Sequence, residues 1–242
     1  MSRSGRRGTV RDFIVFALLL VVLATVHFVV AANAGVTKSA AQAAVFEWWF
    51  LGITAGAGAF GTVFIHAARL PGMWDASLSA FEKLIAPLVA GMIIGLAYAI
   101  GDAKTGFGAL VAAKMQLGSI HIAWPMSLPI YLGGAILVST LYFLVLIPPL
   151  NWLIGRVLLK ERRPRAVYWA IGAPLALVEP LTQGDFSSVA AMGWSAVPNL
   201  TGDLAVNLAQ VWFLRRAGFV ACVAVRAGFY GVWHIVYPLL PL

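Results

Sequence analysis

The sequence predicts an all-α fold, a polytopic transmembrane helix bundle, on three observations. Of 242 residues, 61% are hydrophobic and only 11% charged, with a mean hydropathy of +0.89, too few charges to cover a globular core with a solvated surface. Apolar runs of spanning length recur from one end to the other. Most of the +8 charge sits in short clusters beside those runs, at Arg3, Arg6, Arg7 and Arg11, at Arg156, Lys160, Arg162, Arg163 and Arg165, and at Arg215 and Arg216. Flanking cations of this kind fix orientation in a bilayer. Soluble enzymes and disordered regulators are thereby excluded. A nucleic-acid partner is excluded too, since no basic face interleaved with aromatics sits on a soluble module. The lipid bilayer is the first partner expected.

Six spans follow in order: Phe13–Ala32, Ala44–His66, Leu84–Gly101, Ser127–Ile147, Ala166–Leu181 and Ala217–Leu240. The first run has twenty residues, beyond the ~7–15 of a signal-peptide core, and is read as a retained helix. Between the spans, 106–118 carries Lys114 in its middle and 186–210 is broken by Pro198 and Gly202. Both read as short, interfacial or re-entrant helices. With no repeat and no Pro- or Ser-rich linker, 1–242 is taken as a single integral membrane domain. The single cysteine, Cys222, admits neither an intrachain disulfide nor a thiolate cluster.

If the N-terminal arginines stay in the cytoplasm, two crossings return Arg69 and Lys83 to it, and two more return the 156–165 loop. Bringing Arg215 and Arg216 back as well requires a return after span five. The expected location is the cytoplasmic membrane of a bacterium or archaeon, with the N-terminus inside. Gly52 and Gly56, like Gly91 and Gly95, have the spacing that lets membrane helices approach closely, in bundle packing or at a partner.

An ionisable group at bilayer depth costs roughly 2.5–3.5 kcal/mol, so each needs a partner or a wet cavity. His27, Glu47 and His66 lie toward span ends and read as interfacial. In the last span Arg226, Tyr230, Trp233 and Tyr237 follow helical spacing with His234 beside them. Arg226 lies too deep to snorkel and needs an anion. Glu179, in the apolar run AIGAPLALVEPL and followed by Pro180, is its candidate partner in a structural ion pair. Asp203, Asn207 and Gln210 share one face at i, i+4 and i+7. They read equally as helix glue or, with Tyr230, as the lining of a polar cavity.

The stretch NLAQVWFLRRAGFVACVAVRAGFYGVWH, 207–234, resembles the C-terminal part of the CAAX-protease and bacteriocin-processing (CPBP) family of intramembrane endopeptidases. WPMSLPIYLGGAILVSTLYFLVLIPPLNWL, 124–153, and AVYWAIGAPLALVEPLTQ, 166–183, are similar to its upstream helices. The resemblance implies a glutamate that activates water, histidines beside it and an asparagine at the oxyanion, which here maps to Glu179, His234 and Asn207 as catalytic candidates. The motifs depart, however. Val138-Ser139-Thr140-Leu141-Tyr142-Phe143 stands where the family has paired glutamates and an arginine, and Ala176-Leu177-Val178-Glu179-Pro180 where it has Phe-xxx-His. Three readings therefore compete: a divergent peptidase acting on a membrane peptide, a non-catalytic structural or accessory subunit contacting another membrane protein, and a small proton-coupled transporter using Glu179 and His234. The sequence assigns no metal or cofactor.

Overall fold

The structure, a computed structural model, describes residues 3–33, 35–37, 40–75, 77–114, 116–160, 162, 164–183 and 193–240. Among them it is all helix: α1 (Arg3–Ala32), α2 (Ala40–Ala44), α3 (Trp48–Ala67), α4 (Phe81–Thr105), α5 (Phe107–Lys114), α6 (Ser127–Leu158), α7 (Pro164–Gln183), α8 (Val197–Ala217) and α9 (Phe219–Leu239). Five of these, α1 from Gly8, α3, α4, α6 and α9, are long and apolar enough to cross a membrane. Their lipid-facing sides carry exposed Leu18, Val21, Phe60, Ile93 and Leu96, inverting the soluble pattern.

Helices α7 and α8 have 20 and 21 residues, about 30 Å at ~1.5 Å per residue, the thickness of a bilayer's hydrocarbon core. They are less apolar because their polar side chains turn inward: Glu179, Asn199, Asn207 and Gln210 are all buried. Helix α8 lies amid the bundle, packed on α4, α7 and α9. Of the interrupted 186–210 stretch, 186–192 lies outside the described residues, while the remainder runs on into α8 without a break. Pro198 opens that helix, where a missing N–H costs nothing. Gly202 leaves room for the Tyr98 ring, since a Cβ there would come 2.5 Å from Tyr98 Cδ2.

One end of the bundle gathers many of the basic residues. There Arg156 Nη1 donates to the Ala67 carbonyl at 2.8 Å, and Asn151 Nδ2 to that of Ala68 at 3.1 Å. Arg216 lies 3.9 Å from Glu82, and the Arg215 guanidinium 5.4 Å from the Tyr168 ring. At the same end Asp12 of α1, fully buried, pairs with His66 Nε2 of α3 at 2.6 Å. Gly218 makes the turn from α8 to α9 at φ +94, a region open to glycine. The turn lays the first amides of α9 on the 70–75 loop. Phe219 N–H donates to the Gly72 carbonyl at 3.3 Å and Val220 N–H to that of Met73 at 3.0 Å, satisfying amides that a helix start leaves unpaired.

The two glycine pairs part company. Gly91 and Gly95 of α4 press on the backbone of α9: a Cβ at Gly91 would strike the Val225 carbonyl, and one at Gly95 would come 2.8 Å from the Phe229 oxygen. Gly228 answers from α9 against Leu88. Gly52 and Gly56 meet nothing within 4 Å.

Candidate functional site

Arg226 is the largest side chain at the centre of the bundle, 1% exposed. Its guanidinium Nη2 donates to Glu179 Oε2 at 2.9 Å and Nη1 to Oε1 at 3.3 Å, a two-pronged pairing with α7. Nε donates to Gln210 Oε1 at 2.9 Å, and Nη2 also to Asn207 Oδ1. Four of the five N–H donors are thus engaged within the protein.

The acceptors are closed in turn. Asn207 Nδ2 donates to Glu179 Oε2 at 2.8 Å and to the Ala176 carbonyl at 2.9 Å. That carbonyl lies four residues before Pro180, which has no N–H to give it, so α8 supplies the hydrogen bond the proline removes from α7. Gln210 Nε2 donates to Ser139 Oγ of α6 at 2.8 Å and to the Cys222 carbonyl of α9 at 3.2 Å. Four helices meet in one network whose formal charges cancel. Asp203 lies apart, half-buried one turn before Asn207, beside the Tyr98 hydroxyl, with Glu179 and Arg226 at longer range.

A second polar group lies further along α9. Arg226 sits 5.5 Å from the Tyr230 ring, and Tyr230 is in ring contact with His234. His234 stacks on Tyr131 at 4.1 Å, and its Nδ1 lies 3.1 Å from Nδ1 of His121. One ring must donate and the other accept. Burial pushes His121, in the segment between α5 and α6, down to about 4, so it is neutral at pH 7 and fit for that bond. A cavity of about 470 Å³ opens between α2, α3, α6 and α9, walled by Phe46, Phe50, Tyr131, Leu141, Tyr230 and His234. Glu179 does not line it.

The structure therefore brings Glu179, Arg226, Asn207 and Gln210 together, holds Asp203 to one side, and separates His234 from them by Tyr230. The expected stripe on α9 is corrected. Trp233 and Tyr237 leave the Arg226 face and join Phe229 against Tyr98, with the Tyr237 hydroxyl donating to Asp102 Oδ2 at 2.8 Å. The reason is that Gly231–Val236 is a π-helical turn, in which each residue advances by less than the 100° that sequence spacing assumes. Sequence reasoning missed Ser139 as a partner of the polar centre, and His121, a lone histidine in an aperiodic connection. Among the described residues no three His, Cys, Asp or Glu side chains converge as a metal's ligands would. No protein-family model, curated protein or solved structure matches this chain.

Proposed function

We propose that this chain is a divergent, non-catalytic relative of the CPBP membrane proteins, serving as a structural or accessory subunit that receives an apolar segment of a membrane partner in the cavity beside His234. One observation carries the reading. Glu179, the carboxylate that the resemblance would make a water-activating base, has both oxygens engaged by Arg226 and Asn207. A general base needs a free lone pair within reach of water and substrate, and this carboxylate is instead the inner member of a lock.

A second reading, retained peptidase chemistry, draws on the contact between His121 and His234, of which His234 lines the cavity. The assay that separates the two is cleavage of a membrane peptide by purified protein. No cleavage is expected. Robust proteolysis that survives chelators and vanishes in Glu179→Gln and His234→Ala would overturn the non-catalytic reading.

The basic end of the bundle is proposed to face the cytoplasm, because translocating Arg156, Lys160, Arg162 and Arg165 would oppose the rule governing cation placement. Fusion reporters at the N-terminus and in 156–165 should both report cytoplasm, and one in 116–126 the opposite side. An external signal from 156–165 would reverse the orientation.

A further inference from the structure

A cluster of oxygen-bearing side chains lies between α4 and α8, away from the cavity beside His234. On α8, Asn199 and Asp203 are one turn apart and share a face. The Tyr98 ring of α4 packs across Gly202 between them and meets the Phe229 ring edge to face at 5.2 Å. Its hydroxyl faces the side chains of both Asn199 and Asp203. We propose that Tyr98, Asn199 and Asp203 bind a sodium ion.

Asn199 is the residue that needs a ligand. It is fully buried, yet among the described residues neither Oδ1 nor Nδ2 closes a hydrogen bond. A buried amide left so is costly. The Tyr98 hydroxyl lies beside it without forming an aligned bond. Oxygens that share a metal ion stand further apart than oxygens joined by a hydrogen bond, so proximity without a bond is the spacing a cation requires.

Asp203 supplies the charge. Glu179 and Arg226 cancel each other at 2.9 Å. A carboxylate about 9 Å into α8, at ~1.5 Å per residue, needs a cation of its own or a wet path. Asp203 is half-buried, which leaves an ion a way in. Its second oxygen can accept from Asn199 Nδ2 while the first holds the ion.

The chemistry of these donors selects the ion. A carboxylate, an amide oxygen and a phenol oxygen are hard ligands with one negative charge among them. Calcium takes about six to eight oxygens, and softer metals prefer nitrogen or sulfur. A monovalent cation leaves the three side chains electrically neutral, and sodium suits a closely spaced set better than the larger potassium. The turn Gly193–Ala196 runs on into α8, so the ion does not face the free amides of a helix start.

An ion held there ties α4 to α8 and stabilises the folded bundle by mass action. The test uses the full chain purified in a neutral detergent. Thermal unfolding is followed as sodium chloride replaces choline chloride at constant ionic strength, with sodium NMR linewidths reporting binding itself. The unfolding temperature should rise saturably with sodium, and potassium should act only at higher concentration.

Asp203→Asn, nearly the same in shape, should remove both the rise and the line broadening. Asn199→Ala and Tyr98→Phe should each raise the half-saturating sodium concentration about tenfold, as the loss of one ligand does. Asp75→Asn changes a carboxylate of the 70–75 loop and should keep the parent's response. Should Asp203→Asn fail to fold, Tyr98→Phe carries the test, since it removes only a hydroxyl. The proposal fails if choline supports the same stability as sodium, or if potassium acts at the lower concentration. It fails equally if the Asp203 or Tyr98 variant responds as the parent does, or if Asp75→Asn loses the response as well.

Discussion

Replacing Gly91 with leucine is expected to prevent the bundle from assembling. A single Cβ at that position already runs into the Val225 carbonyl of α9, and backbone cannot rotate away as a side-chain tip can. Because Gly228 presses back on the Leu88 carbonyl, the two helices meet glycine to backbone on both sides, and widening one contact opens the other. Even Gly91→Ala should cost about 1–3 kcal/mol, as overpacking a close contact does, and leucine more. At Gly52 and Gly56, where nothing lies within 4 Å, leucine should change stability by no more than ~0.5 kcal/mol. Thermal unfolding in detergent, with size-exclusion profiles, makes the comparison. Equal tolerance at Gly91 and Gly52 would mean that α4 and α9 do not cross as described.

Arg226→Leu is the second large effect. It removes the cation from Glu179, which is only 5% exposed, and strips Gln210 Oε1 and Asn207 Oδ1 of the donor that satisfies them. Breaking a buried pair from one side typically costs ~3–5 kcal/mol, mostly because the abandoned charge stays buried. Arg226→Lys should recover little, since one ammonium cannot direct donors at Glu179, Asn207 and Gln210 at once in the fixed planar fork. The expected reading is a marked fall in unfolding temperature for both variants. A lysine variant as stable as the parent would show that charge alone, rather than the forked geometry, holds the centre.

The apolar spans were legible in the sequence because lipid-facing helices must be apolar along their length, as Phe13–Ala32 is. The helices that carry the polar centre were harder to read for the opposite reason. In α8, Asp203, Asn207 and Gln210 read as one polar face, but within a stretch that Pro198 and Gly202 made look too broken to span, although the neighbouring helices, rather than lipid, surround much of it. Pro198 carried the signature of a break and stands at a start instead, a distinction that depends on where the preceding chain turns.

Glu179 and Arg226 were recognisable as a candidate pair because each is costly at depth without the other. The role of Asn207 toward the Ala176 carbonyl was not, since it depends on which helix lies opposite Pro180. The partner of His234 was invisible, because His121 comes from 113 residues away along the chain and belongs to no periodic pattern. Spacing likewise could not rank the glycine pairs. Both have the same interval, and only the packing of α9 on α4 decides which is filled.

A double-mutant cycle on Glu179 and Arg226 tests most directly whether the polar centre is a closed lock between α7 and α9. Unfolding free energies would be measured in detergent for Glu179→Leu, Arg226→Leu and the double variant. The double variant is expected to cost less than either single change, because removing both charges leaves none stranded in the bundle. Costs that simply add would contradict the account, showing that the two residues do not act as partners and that the carboxylate is free for another task.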